Sequence, residues 1–466
     1  MFDVVVIGGG IAGSVAAVRA SELGLSVALL EAGKETDYMC NSRITGGVFH
    51  VGVQNILAEP EVAAGYIRAA TEGYSQPELA ETLALNARRG VEWLKTQGLR
   101  FIKGGPTPDL NAVLAPPKLA QFGTHWKGRG GDVLLRTLGE KLVARGGVIH
   151  LGCRARDLRI ENGRCVGVTA TLDDETVEFD AGAVVIADGG YQANEDLLRR
   201  GISAAPGKLL QRNAGTGRGD GLLMAEKAGA KLVELTSFYG HLNHRDALKN
   251  DRLWPYPMID MLAVSGIAVD ASGNRFADEG MGGVYLANAV ARLPDPQGAW
   301  AVFDEAVWNG PGRTGVLAPN ACLELAGGAL LSARSITELA NQMAVDPQQL
   351  QSTVDAFNAA LEGGQLASLA PARSSHKFTA FPLKKAPFYA VPVCAGITYT
   401  LGGIATDGNA QALREDGQAF PGLYAAGACT GGLEGGPAVG YTGGLSKSCA
   451  FGLIAAESIA AQLPSA

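Results

Sequence analysis

The chain opens Asp3-Val4-Val5-Val6-Ile7-Gly8-Gly9-Gly10-Ile11-Ala12-Gly13-Ser14, runs through small residues to Ala20, and then reads Ser26-Val27-Ala28-Leu29-Leu30-Glu31. An unbroken apolar run suits a strand buried on both faces. Gly8, Gly10 and Gly13 carry the G-x-G-x-x-G spacing between that strand and a helix, and Glu31 ends a second strand. Each part has a physical role. Gly8 permits a tight turn, Gly10 leaves room for a pyrophosphate, and Gly13 lets helix and strand pack closely. The free N–H groups at the helix start favour the pyrophosphate charge. Glu31 can accept from the hydroxyls of an adenosine ribose. The stretch reads as a Rossmann-like βαβ unit that binds a dinucleotide.

The 466 residues are enough for two or three domains, and 47% hydrophobic content supplies a core. The 64 glycines have no fixed period and fit tight loops around a large cofactor. A net charge of −7, with Lys and Arg scattered, argues against a nucleic-acid partner. Seven cysteines (40, 153, 165, 322, 394, 429 and 449) form no C-x-x-C and no metal spacing, so reduced thiols and no metal site are expected. The six histidines do not cluster as metal ligands either. The apolar N-terminus lacks a basic region and is the first strand of the fold, so it does not read as a signal peptide. With no run long enough to span a bilayer, the expected location is cytoplasmic.

Further along, Asn41-Ser42-Arg43-Ile44-Thr45-Gly46-Gly47 is a polar, glycine-paired loop suited to backbone contact with a cofactor. Ser75-Gln76-Pro77-Glu78 reads as a capping box opening a helix with Leu79, Leu83, Ala87, Val91 and Leu94 on one face. Residues 104–131 are Gly- and Pro-rich and suggest a loop or lid. After a helix over Asp132 to Ala144, short strands are expected at 148–152, 155–160, 165–172 and 176–179, a β-meander. A buried strand, Ala183 to Ala187, ends in Asp188-Gly189-Gly190. From about residue 233 the composition shifts, and Gly402-Gly403, Ala425-Ala426-Gly427 and Gly443-Gly444 return to nucleotide-site chemistry. The expected division is a discontinuous nucleotide domain, 1–232 and 381–466, interrupted by a second domain over 233–380. Capping boxes at Ser335 and a helix start at Asp346-Pro347 lie within the insertion.

The N-terminal unit, the Ala187-Asp188-Gly189-Gly190 strand end and Gly422-Leu423-Tyr424-Ala425-Ala426-Gly427-Ala428 together resemble the FAD-dependent flavoproteins of the fumarate reductase and succinate dehydrogenase superfamily. Gly219-Asp220-Gly221 and Arg275-Phe276-Ala277-Asp278-Glu279 match further motifs of that family. The resemblance implies an α/β fold: a Rossmann-like FAD-binding domain with β-meander, interrupted by an α+β capping domain that holds substrate against the flavin. Where soluble fumarate reductases carry a proton-donating arginine, this chain has Gly283. Their His-x-Thr-Met-Gly-Gly is here Thr398-Tyr399-Thr400-Leu401-Gly402-Gly403, and their C-terminal carboxylate-binding arginine has no match. Gly280, Gly396-Ile397-Thr398-Tyr399-Thr400 and Gly444-Leu445 are closer to the tricarballylate dehydrogenase-like branch.

The resemblance implies non-covalent FAD, since no His stands near Cys40 where respiratory members attach it. Expected FAD contacts are Gly8, Gly10, Ile11, Ala12 and Gly13; Glu31 and Ala32; Asn41, Ser42, Thr45, Gly46 and Gly47; Ala155; Ala187, Asp188 and Gly189; Asp220; Gly427; and Gly444 and Leu445. The implied reaction interconverts CH–CH and C=C bonds beside a carboxylate or ketone, on a small organic acid or cyclic ketone, by hydride exchange with flavin N5. Four residues are candidates for the substrate side. His241 aligns with the family's substrate-side histidine, or is a buried His bonded to backbone. Arg245 could grip a carboxylate, or make a surface ion pair. Tyr399 could polarise a carbonyl or relay a proton, or pack under the flavin, and Tyr441 stands beside the last helix with the same choices. Arg275 and Glu279 are catalytic neighbours or a salt bridge within the second domain. The alternative function is a flavoprotein electron-transfer or monooxygenase-type component without its own dehydrogenation substrate. No second Rossmann unit for a nicotinamide is present, and the electron acceptor is open.

Overall fold

The computed structural model describes residues 1–117, 125–314 and 319–463. Part of the 104–131 loop therefore lies outside the described residues, as does the side chain of Cys322.

The strand Phe2–Ile7 sits at the centre of an eight-stranded sheet, parallel to Val27–Glu31 on one side and to Glu175–Ile186 on the other. Val148–Leu151 and Ala419–Ala425 extend the parallel run outward. Alternate residues of the first strand enter different cores. Val4 and Val6 pack with the helix Ile11–Glu22 and the last helix, Gly444–Gln462. Val5 and Ile7 pack with the meander strands Arg154–Glu161 and Arg164–Leu172. Burial on both faces is why the strand shows no polar alternation.

The strands expected at 176–179 and 183–187 are one twelve-residue strand, Glu175–Ile186. It exchanges its antiparallel partner for a parallel one at Asp180–Ala181, where Asp180 faces Gly167 and Ala181 faces Phe2. Because both partners hydrogen-bond the same continuous backbone, no turn is needed between them. The capping box expected at Ser75 does not form. The helix Pro77–Thr96 starts after Gln76, and the Ser75 hydroxyl donates instead to the Leu433 carbonyl at 2.6 Å. At Ser335 half of the box forms, with Oγ accepting from the Glu338 amide at 3.1 Å, while the Glu338 carboxylate accepts from the Arg334 amide one residue earlier at 3.0 Å.

A second sheet is built on Phe388–Thr400, a thirteen-residue strand paired with Phe238–His244, Trp300–Asp304, Leu331–Ala333 and Leu210–Gln211; Ile267–Val269 joins through Trp300–Asp304. Its core is separate from those of the first sheet and includes Phe238, Leu242, Leu262, Val290, Phe303 and Ile397. No described helix is long and apolar enough to cross a membrane, and no group of metal-ligating side chains is found among the described residues.

Candidate active site

A cavity of about 770 Å³ runs along the carboxyl ends of the parallel strands, where open α/β sheets bind ligands. At one end lies Glu31, whose carboxylate accepts from the Gly9 and Gly33 amides at 2.8 and 2.7 Å. Burial raises its pKa, with those two amides opposing. Gly8 adopts φ +99°, and a Cβ there would lie 2.7 Å from the Ala187 carbonyl. The turn therefore leaves bare backbone facing the cavity. Ser42 Oγ accepts from the Ile11 amide at 2.9 Å and ties the polar loop to the helix start. The loop itself folds into a short helical turn, Asn41–Ile44. Asn41 joins three segments, donating to Thr398 O at 2.8 Å and accepting from the Ala214 amide at 2.9 Å. Arg43 is buried and paired with Asp132. Its role is to hold the loop.

Asp188 lines the middle of the cavity. Its Oδ2 accepts from the Gly221 amide at 2.7 Å, and burial pushes its pKa up to about 7. Its Oδ1 and the Oε1 of neighbouring Gln192 are buried without a hydrogen-bond partner among the described residues. Such groups are costly unless a ligand satisfies them. An elongated cavity with bare glycine backbone, a carboxylate at one end and orphaned polar atoms midway fits FAD.

Of the expected FAD contacts, Gly13 and Gly47 do not line the cavity; the rest do. Gly13 packs on the first turn instead, since a Cβ there would fall 2.0 Å from the Gly8 carbonyl. A Cβ at Gly47 would meet Leu114 at 3.0 Å, so that glycine serves packing of the loop. Asp220 reaches the rim, held by Arg154 through two contacts of 2.6 and 2.8 Å.

The opposite end is aromatic. Tyr239, Trp254, Tyr256, Tyr399 and Tyr441 line it with Arg212 and His50. Tyr239 and Tyr441 stack with ring centroids 3.8 Å apart. The Gly444 amide, first in the last helix, donates to the Tyr441 oxygen at 3.3 Å. The Tyr399 hydroxyl donates to the carboxylate of Glu434, 3.1 and 3.2 Å from its two oxygens. Glu434 is wholly buried and also accepts from Lys447 Nζ at 3.2 Å and from the Thr442 amide at 2.8 Å. A phenol has one proton. With that proton given to Glu434, Tyr399 presents only acceptor lone pairs, so polarising a carbonyl by donation falls to other groups. Burial drives both Tyr399 and Tyr441 well above the ordinary phenol range, and lowers His50 to about 4, which keeps it neutral.

The substrate-side candidates separate. Tyr399 and Tyr441 line the cavity, whereas His241 and Arg245 do not. Arg245 follows the end of the strand Phe238–His244. Its guanidinium lies 4.9 Å over the Trp300 ring and donates to the Gln297 carbonyl. It is engaged away from the site and is not a carboxylate grip. His241 lies behind Tyr239, with Nε2 3.0 Å from the Tyr239 hydroxyl and Nδ1 2.5 Å from Asp260 Oδ2. Arg275 and Glu279 form a buried salt bridge of 2.5 Å, with the Arg275 guanidinium 5.8 Å from the Phe357 ring.

Sequence reasoning missed Tyr239, Arg212, Trp254, Tyr256, Glu434 and Lys447. Strand alternation puts Tyr239 and His241 on one face and could have found the first. Arg212 reaches Thr398 Oγ1 at 2.9 Å and stacks 5.6 Å from Tyr256, a pairing across 44 positions of sequence that leaves no local signal.

The profile described as "FAD binding domain" matches residues 3–440. The chain belongs to this FAD-binding family, within the fumarate reductase and succinate dehydrogenase flavoprotein superfamily. It is 29% identical over 394 residues to the NADH:acrylate oxidoreductase of Vibrio harveyi, covering 83% of this chain and 37% of that protein. It is 25% identical over 453 residues to the NADH:fumarate oxidoreductase of Klebsiella pneumoniae, covering 94% of this chain and 45% of that protein. The chain thus spans less than half the length of these two relatives. Among solved structures, a 3-ketosteroid-delta4-(5alpha)-dehydrogenase from Rhodococcus jostii superposes with a TM-score of 0.73 at 22% identity, covering 98% of this chain and 96% of that one. The shared fold is that of the flavoprotein, and the cofactor is FAD.

Proposed function

We propose that this chain is an FAD-dependent oxidoreductase that interconverts CH–CH and C=C bonds beside a carboxylate or ketone of a small molecule. One observation carries this reading. The FAD cavity ends in a cluster of phenols, Tyr239, Tyr399 and Tyr441, brought from three separate chain segments. Bound flavin supplies hydride exchange with the substrate carbon. The protein orients the substrate, excludes water and handles the second hydrogen as a proton. Of the phenols beside the start of the last helix, Tyr441 rather than Tyr399 keeps a proton not given to Glu434, and it would stabilise negative charge gained by a carbonyl oxygen, with the Gly444 amide donating to the Tyr441 oxygen behind it. The relatives' names, acrylate and fumarate oxidoreductase, agree with an activated alkene. FAD bound without a covalent link, a cytoplasmic location and an electron acceptor outside this chain complete the proposal.

The test is spectroscopic. Dithionite-reduced holoenzyme is mixed without oxygen with fumarate, acrylate or cyclohex-2-enone, and oxidised holoenzyme with the saturated counterparts. Return or loss of the yellow flavin band with one of them is expected. Flavin that exchanges electrons with dyes but with no member of either panel would favour an electron-transfer component instead. Acid precipitation should leave the flavin in the supernatant; flavin in the pellet would contradict the non-covalent link.

A further inference from the structure

Among the described residues, the feature the proposed chemistry leaves unused is the pair behind Tyr239. We propose that Asp260, His241 and Tyr239 form a proton relay, in which Tyr239 is the catalytic residue that exchanges a proton with substrate and His241 and Asp260 are positioning residues that recharge it. This rests on the reading of the cavity as a C=C/CH–CH site.

With Asp260 as carboxylate, each hydrogen bond has one direction. Asp260 can only accept, so the ring nitrogen 2.5 Å from its Oδ2 carries a proton. In the neutral ring the other nitrogen is therefore an acceptor, and the Tyr239 hydroxyl 3.0 Å away donates to it. In the imidazolium both nitrogens donate, and the Tyr239 proton is free to point into the cavity. The same three residues thus take up a proton in one state and deliver one in the other. Both distances are within reach for proton transfer. Asp260 is held on its other oxygen by the Leu242 amide at 2.8 Å, so it cannot swing away without losing a backbone bond. Tyr239 touches the cavity, while the His241 and Asp260 side chains keep 13% and 19% of their surface exposed. The relay therefore has Tyr239 at the cavity and partly exposed side chains at His241 and Asp260.

Gly283 makes room for it. A Cβ at that position would sit 2.1 Å from the Asp260 carboxyl carbon, so the carboxylate occupies space that any side chain would claim. Burial raises the Tyr239 phenol to about 12, and the nearby Arg212 charge opposes this. An isolated phenol would thus be slow to ionise, and a base at its oxygen is what the neutral ring supplies.

In the reducing direction, for which bound flavin would supply the hydride to one carbon of the C=C bond, Tyr239 gives a proton to the other carbon. The Tyr239 O–H bond breaks and its electron pair stays on oxygen. That oxygen takes the Nε2 proton of the imidazolium, which leaves the ring neutral with its remaining proton on Nδ1 toward Asp260; a solvent proton taken up at Nε2 restores the imidazolium before the next turnover. The sum is one hydride and one proton added across the double bond.

The experiment has two arms on FAD-loaded protein. In the first, fumarate, acrylate and cyclohex-2-enone are each mixed with reduced enzyme, using Tyr239→Phe, His241→Ala, Asp260→Asn and the Tyr239→Phe/His241→Ala double variant. With whichever alkene the parent enzyme reduces, Tyr239→Phe should lower kcat by about 10²-fold or more with little change in KM. The double variant should be within about threefold of the slower single one, because members of one relay do not act additively. Single variants with parental kcat, or single losses that multiply in the double variant, overturn the relay. The second arm needs no substrate. In 15N-histidine-labelled protein, Tyr239→Phe should shift the His241 Nε2 resonance, and Asp260→Asn the Nδ1 resonance. Unmoved resonances overturn the relay, whereas failure of every alkene with the resonances moving as expected counts against the C=C reading alone.

Discussion

At the scale of single residues, the Glu434–Lys447 pair shows how buried charge supports the site. Both side chains are at most 1% exposed, and Glu434 holds Lys447, Thr442 and the Tyr399 hydroxyl together. Breaking such a pair leaves an uncompensated charge, whereas replacing both partners with apolar groups need not. Glu434→Leu should therefore cost about 3–5 kcal/mol of stability, and the Glu434→Leu/Lys447→Met double variant should recover the part due to the stranded Lys447 charge, while the unpaired Tyr399 hydroxyl and Thr442 amide keep the rest. Urea midpoints with FAD saturating check this; a double variant as unstable as the sum of its singles would refute it. Asp188 gives a pH dependence. Its folded pKa of about 7 lies above the ordinary 3.8, so its contribution is fully present below about pH 4 and is lost as pH rises through about 7. Asp188→Asn should gain on the parent protein by a few kcal/mol between about pH 5 and pH 8. The same difference in stability at both pH values would rule the effect out. Arg245, engaged with Trp300 and Gln297, should tolerate Arg245→Ala with turnover intact.

At the scale of elements, the helix Ile11–Glu22 depends on its glycine as much as on its apolar face. Gly13→Ala would set a methyl group against the Gly8 carbonyl, push helix and strand apart and open the pyrophosphate turn. The purified variant should carry little FAD, measured by the ratio of flavin to protein absorbance; full occupancy would show that the turn can yield. This unit was legible in the sequence because its signals are local: a buried strand, glycines at fixed spacing and an acid closing the second strand. Most of the expected positions that line the cavity were legible for the same reason, since they lie on glycine turns at strand ends. The substrate side was not. Tyr239, Tyr399, Tyr441 and Glu434 meet only because strands of distant segments pair, with Tyr239 opposite Tyr399 across the second sheet. Arg245 has the right chemistry for a carboxylate, yet it lies just past the last paired residue of its strand, where the chain turns toward Trp300. Residue type suggested a role there that only tertiary position could refuse.

At the scale of the whole molecule, the inserted segment invites a proposal about motion. Residues of about 233–380 contribute strands to the second sheet and none to the first, and we propose that they move as a cap over the flavin. Crystals grown with and without a carboxylate ligand should then differ by rotation of this segment about hinges near its ends, and identical arrangements in several crystal forms would speak against it. The strand Phe388–Thr400 limits such a motion. It lies in the second sheet along its length, yet its end is tied by Asn41 to the loop beside the cavity. The order of strands in the first sheet also bears on how the protein is made. The strand Ala419–Ala425 and the last helix Gly444–Gln462 complete a nucleotide fold begun at Phe2. During synthesis the βαβ unit must wait through nearly four hundred residues for those partners, and the second core waits almost as long, because its central strand, Phe388–Thr400, precedes them by only a short stretch. At about 5–20 residues per second, that leaves an interval of tens of seconds in which the glycine turn has no completed cavity around it. Flavin capture then follows synthesis of the helix Gly444–Gln462, and a cell short of FAD would accumulate chains whose first sheet lacks the ligand that its orphaned polar atoms require.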